Sequence, residues 1–141
     1  MSRVHHILRR PAIHRASAPL AALLLAAVAV VHLIDGSGSL SDMFYVGTLE
    51  LALVAAIVPL AIVLCTRPLP AFWHAAGALC TLALAVFVAS RTFGLPGSTD
   101  DIGTWGQTLG LVNILAECGV IALAAHAVLL HRTRSAHPEA S

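Results

Sequence analysis

Apolar residues in this chain collect into four long runs, residues 17–34, 44–65, 71–93 and 107–130, separated by short polar punctuation. A helix rising about 1.5 Å per residue needs roughly 20 residues to cross a hydrocarbon core of about 30 Å, and each run meets that length. A backbone inside lipid must satisfy its own hydrogen bonds, so runs of this kind cross as helices. The pattern predicts an all-α fold: an integral membrane four-helix bundle in a domain covering 16–131. A polar, basic arm (1–15) precedes it and a polar tail (132–141) follows.

The punctuation predicts the connections. Gly36-Ser-Gly-Ser reads as a flexible breaker closing the first helix, and Arg67-Pro-Leu-Pro as a tight turn making helices two and three antiparallel neighbours. The stretch 94–105 is the longest interhelical connection, and Pro59 is expected to kink the second helix in its inner half. The first run has a basic flank and an Arg9-Arg10 pair. However, Pro-Ala-Ile-His follows that pair and no A-x-A site precedes Asp35, so the run reads as a retained helix.

Composition and charge add location. The chain is 58% hydrophobic and 11% charged, more apolar surface than a water-soluble domain of this length can hide. Net charge is +1, which gives no footprint for nucleic acid. Arg3, Arg9, Arg10, Arg15, Arg67, Arg132 and Arg134 fall in segments on one side, whereas Asp35, Asp42, Asp100 and Asp101 fall on the other with Arg91 alone. The positive-inside rule then predicts both termini in the cytoplasm of a bacterial cell, in a multi-pass protein of its plasma membrane.

Ionisable groups within such runs are costly unless paired or wetted, so they are the candidate site. Counting inward along the helices puts Arg91 at the outer boundary and His32 about one turn in, with Glu50 about 9 Å and Glu117 about 15 Å deep. Asn113 precedes Glu117 by four residues and shares its face. His32, Glu50, Arg91, Asn113 and Glu117 thus bring one or more polar groups from each helix into the outer half. Two carboxylates, one guanidinium and one imidazole suit a cation or proton better than an anion. Arg91 is expected to organise this site by pairing with Glu50 on the path to Glu117. The same groups also fit a purely structural clamp, with Arg91 held by Glu50 or Asp35.

Other features carry less. Phe44, Tyr45, Phe93 and Trp105 read as an outer aromatic belt and Phe72 and Trp73 as an inner one. Gly77, Thr81, Ala85 and Ala89 on helix three, and Gly106 and Gly110 on helix four, form small-residue stripes suited to packing within the monomer or to homo- or hetero-oligomers. Cys65, Cys80 and Cys118 show no metal spacing and read as small hydrophobes. His74 and His126 share one depth near the inner boundary, the minimum for a bis-His haem site, but read as interfacial side chains. No metal site is expected, and His5, His6 and His14 in the arm read as non-specific.

The segment Ala89-Ser-Arg-Thr-Phe-Gly-Leu-Pro-Gly resembles the sRTxGLPg stretch of small four-helix membrane proteins of actinobacteria and related prokaryotes. That group also places His-Leu near the end of helix one, a Gly shortly before helix two and a Glu in helix four, matched here by His32-Leu33, Gly47 and Glu117. The resemblance implies the four-helix fold and the same site map over most of residues 28–130, and it implies no activity. Members of the group add a His and an acidic residue between helices one and two. This chain has no His at 35–42, so no metal site is implied there. Pro96 with its flanking glycines should stop helix three and fold Gly94, Leu95, Pro96 and Gly97 as a lid over Arg91 and Glu50.

Three function classes fit. The first is a small membrane protein with an ion-, proton- or ligand-binding site in the outer half of the bundle. The second is an accessory or scaffold subunit of a larger membrane complex, and the third a haem or metal redox protein using His74 and His126. With no nucleophile–base pair or metal motif, no enzyme is expected; the residues specify no cofactor, and the lipid bilayer is the expected partner.

Overall fold

The computed structural model describes residues 12–136, with side chains from 17 to 133. The first eleven residues of the basic arm and the last five of the tail therefore lie outside the described residues. The four apolar runs become α1 (Ala12–Asp42), α2 (Phe44–Thr66), α3 (Pro70–Thr92) and α4 (Thr108–Ala136). Each contains a segment long and apolar enough to span a membrane: Ser17–Asp42, Phe44–Thr66, Pro70–Thr92 and Thr108–Thr133. The chain is a four-helix bundle of membrane-spanning type.

The helices pack in a ring, α1 on α2, α2 on α3, α3 on α4 and α4 on α1, with no contact across the diagonals among the described residues. The α1–α2 pair is the most extensive and the α2–α3 seam the thinnest. Neighbours run antiparallel, because His32 meets Glu50, Gly77 faces Ala124 and Gly110 faces Phe87. Both described ends therefore share one side of the bundle, the terminal end. The 43 and 93–107 connections share the other, the loop end.

The core is a stripe rather than a ball. Ala18, Ala21, Leu25, Val28 and Ala29 on α1 recur at three- and four-residue spacing and meet Ala116, Val120, Ala124 and Ala127 on α4. Ile57 and Leu64 of α2 and Trp73, Ala76 and Cys80 of α3 complete it. Outward-facing Leu23, Val30, Leu49, Ile62, Leu82 and Leu115 stay exposed, as lipid-facing side chains do.

Three expectations are corrected. Gly36-Ser-Gly-Ser does not break α1, which continues to Asp42 and meets α2 across the single residue Met43. Glycine there serves close approach: a Cβ on Gly36 would lie 2.9 Å from the Cβ of Glu50, and one on Gly47 would lie 2.8 Å from the Gly36 carbonyl oxygen. Trp73 is not in an aromatic belt but 1% exposed within the core, because it shares the inward face of α3 with Ala76 and Cys80. Gly106 and Gly110 do not form a helical stripe, since α4 begins at Thr108 and leaves Gly106 in the connection. Pro59 lies inside α2 without interrupting it, and the stripe on α3 divides, Gly77 packing on Ala124 while Thr81 and Ala85 face outward.

Candidate functional site

The extension of α1 decides the depth of the site. His32 lies ten residues from the end of α1 at Asp42, about 15 Å along the helix and not one turn in. That brings it level with Glu117, nine residues into α4. His32 also stands four residues before Gly36 on one α1 face, and Glu50 three residues after Gly47 on one α2 face. The close crossing at the two glycines therefore delivers the Glu50 side chain to the imidazole.

His32 Nδ1 lies 2.8 Å from Glu50 Oε2, an ordinary hydrogen-bond length. On the opposite edge of the ring, Nε2 lies 3.4 Å from Glu117 Oε1 and 3.4 Å from Asn113 Nδ2, both long contacts. Asn113 Nδ2 donates to Glu117 Oε1 at 3.1 Å, within α4. Side-chain exposure rises from 0% at Glu117 to 12% at His32 and 24% at Glu50, the member nearest the loop end. Two buried oxygens, Glu117 Oε2 and Asn113 Oδ1, have no hydrogen-bond partner in the protein. Such atoms cost about 1–3 kcal/mol each when left unmatched.

Four of the five expected site residues meet; Arg91 does not. Its guanidinium pairs with Asp101 of the α3–α4 connection, donates from Nη2 to Gln107 Oε1 at 3.0 Å, and lies 5.0 Å from the Phe87 ring centre. The expected Arg91–Glu50 pair is therefore replaced. Arg91 is in the last turn of α3, and the connection folds back to give it a nearer carboxylate.

That connection is ordered by its glycines. Leu95 and Ser98 exchange backbone bonds of 2.8 Å across Pro96-Gly97, with Gly97 at φ +81°, the signature of a type II turn. Gly103 N–H donates to the Arg91 carbonyl at 2.9 Å, and the Tyr45 hydroxyl of α2 donates to the Pro96 carbonyl. Gly94, Leu95, Pro96 and Gly97 thus cap the Arg91 end of α3 and reach α2 through Tyr45; no hydrogen bond joins them to Glu50. Asp101 and Gln107 as partners of Arg91, and Tyr45 as the partner of Pro96, escaped sequence reasoning. An acidic residue ten positions after Arg91 across a turn-rich stretch was the available signal for Asp101.

His74 and His126 are both exposed, on α3 and α4, and His74 lines a shallow groove of about 410 Å³ between those helices together with Trp73, Gly77, Ala124 and Arg132. Among the described residues no group of three or more His, Cys, Asp or Glu side chains is placed to hold a metal ion. Comparison of the chain with protein-family models, with curated proteins and with solved structures finds no match, so the reading of this site rests on its own geometry.

Proposed function

We propose that this chain binds a proton or a small cation in the His32–Glu50–Asn113–Glu117 cluster, in the plasma membrane of a bacterium. The single observation that carries the reading is the meeting of two carboxyl side chains, from α2 and α4, on the His32 imidazole of α1, beside two buried oxygens that lack partners. Ionisable groups at this depth are retained where they handle ions or protons, because lipid makes them costly otherwise. The excess of arginine at the terminal end favours a cytoplasmic location for that end, which puts Glu50 on the outer side of His32. The loop strapped by Arg91–Asp101 and Tyr45–Pro96 then stands as a fixed cap on that side. In this reading the chain carries out no covalent chemistry.

Thermal unfolding of purified protein in detergent tests it. A species that binds only the native state raises the melting temperature with its concentration. A scan of pH and of sodium, potassium, ammonium, magnesium and calcium chlorides should move the melting point of the parent, and Glu117→Gln should abolish the response. A melting point that follows none of these in a Glu117-dependent way removes the binding reading.

A further inference from the structure

The cluster as described fits either a metal cation or a proton. We infer that its species is the proton, which His32 passes between the buried Glu117 and the more exposed Glu50; this rests on the binding reading above and narrows it.

Oxygen supply argues against a metal cation. Calcium takes six to eight oxygen ligands and magnesium demands a near-octahedral shell. Of the cluster's five side-chain oxygens, Glu50 Oε2 faces His32 Nδ1 and Glu117 Oε1 accepts from Asn113 Nδ2, leaving Glu50 Oε1 and the two buried atoms Glu117 Oε2 and Asn113 Oδ1, fewer than either ion takes. The Asn113 amide nitrogen also occupies the centre, and its N–H group would face any cation placed there.

A proton needs only one donor–acceptor axis, and here two are joined in series. With Nδ1–H donating to Glu50, the free Nε2 lone pair faces Asn113 Nδ2 and, when Glu117 holds a proton, its O–H. Transfer breaks O–H at Glu117 Oε1 and forms N–H at His32 Nε2, then breaks N–H at Nδ1 and forms O–H at Glu50 Oε2. Glu117 ends as a carboxylate and Glu50 as an acid, the ring is neutral before and after, and no electron changes hands. The Asn113 N–H on Glu117 Oε1 stabilises the carboxylate that is left.

The surroundings give the proton one way out. Toward the terminal end Glu117 is followed by buried Val120 and Ala124, and α1 presents Val28 and Leu25. The other ionisable groups near the cluster are Cys80 from α3, which interacts electrostatically with Glu117, and Asp35 from α1, which does so with Glu50 and His32. Arg91 is engaged by Asp101 and Gln107. Glu50 is the most exposed of the three and the nearest to the loop end, so in this inference the proton leaves through Glu50, and the cluster is a proton-binding well and not a channel.

Infrared difference spectroscopy on protein in lipid nanodiscs, after a pH step, reads the carbonyl stretch of a protonated carboxyl directly. The expected result is a band that appears with acid, is unchanged by exchanging sodium for potassium or calcium, and is lost in Glu117→Gln. Should that variant fail to fold, the parent protein is treated with a hydrophobic carbodiimide, which modifies carboxylic acids in apolar sites. Peptide mass spectrometry should find Glu117 labelled and the labelling falling as pH rises. Absence of both band and label overturns the proton inference. If a salt then still shifts the melting point through Glu117, the binding reading survives with a cation as its species; if none does, both fail.

Discussion

A Cβ on Gly47 would stand 2.8 Å from the carbonyl oxygen of Gly36 and 2.7 Å from the amide nitrogen of Leu40, both rigid backbone atoms. Alanine at 47 must therefore push α1 and α2 apart near the His32–Glu50 contact. Gly47→Ala is expected to lower stability by about 1–3 kcal/mol. Gly38→Ala meets nothing within 4 Å and should be neutral or stabilising by up to about 1 kcal/mol through helix propensity. Equal melting temperatures for the two variants would show that the glycine crossing does not hold the hairpin.

Removing the imidazole leaves two carboxyl groups facing each other without a mediator. His32→Ala should cost about 3 kcal/mol, in the range for breaking a buried charge-bearing network, while Glu50→Gln, partly exposed and still able to accept, should cost about 1 kcal/mol. In a double-mutant cycle His32→Ala and Glu117→Gln should be strongly non-additive. Strict additivity in unfolding experiments contradicts the contact.

Arg91 is buried, but its carboxylate partner Asp101 is half exposed. The pair itself should contribute only about 0.5–1 kcal/mol. Arg91→Ala loses more, about 2 kcal/mol, because the Gln107 bond and the packing on Phe87 go with it. Asp101→Asn should couple to Arg91→Ala and Glu50→Gln should not; the opposite pattern in melting temperatures would reinstate a direct Arg91–Glu50 pair.

In the cap, Gly94 has φ +79° and its added Cβ would meet the Ser98 carbonyl oxygen at 2.9 Å. Gly94→Ala should therefore loosen the connection, costing about 2 kcal/mol from left-handed strain plus the clash, and should speed protease cleavage between 94 and 104. Gly106→Ala, with open space around it, should cleave at the parent rate.

Orientation is open to direct measurement. In a cysteine-free background, Ser98→Cys should react with a membrane-impermeant maleimide added outside intact cells, and Arg67→Cys only after the cells are opened. Labelling in the reverse order inverts the bundle and turns the Glu50 side of the cluster toward the cytoplasm.

The four spans were legible because lipid imposes a length that the apolar runs meet without help from tertiary contacts. The residues of the cluster were legible too, since charge inside such runs is conspicuous. Their partners were not. Counting residues gives depth along a helix but no azimuth relative to its neighbours, so Arg91 and Glu50 looked close when Arg91 in fact turns to Asp101. The end of α1 was misread for a related reason: glycine permits both a sharp turn and a close helix crossing, and only the presence of Gly47 on the facing helix decides between them. Trp73 shows the same ambiguity, since an aromatic near a helix end fits an interfacial belt until the face it shares with Ala76 and Cys80 is known.

The one-residue joint at Met43 also sets an order of assembly. α1 and α2 are adjacent in the chain and close through local contacts, which form fastest, so the hairpin is expected to reach its register before α3 and α4 join it. His32 and Glu50 can then meet before Glu117 joins them. The last helix brings its carboxyl to an imidazole already held in place, and a nascent chain that stalls before α4 carries His32 and Glu50 without Asn113 and Glu117.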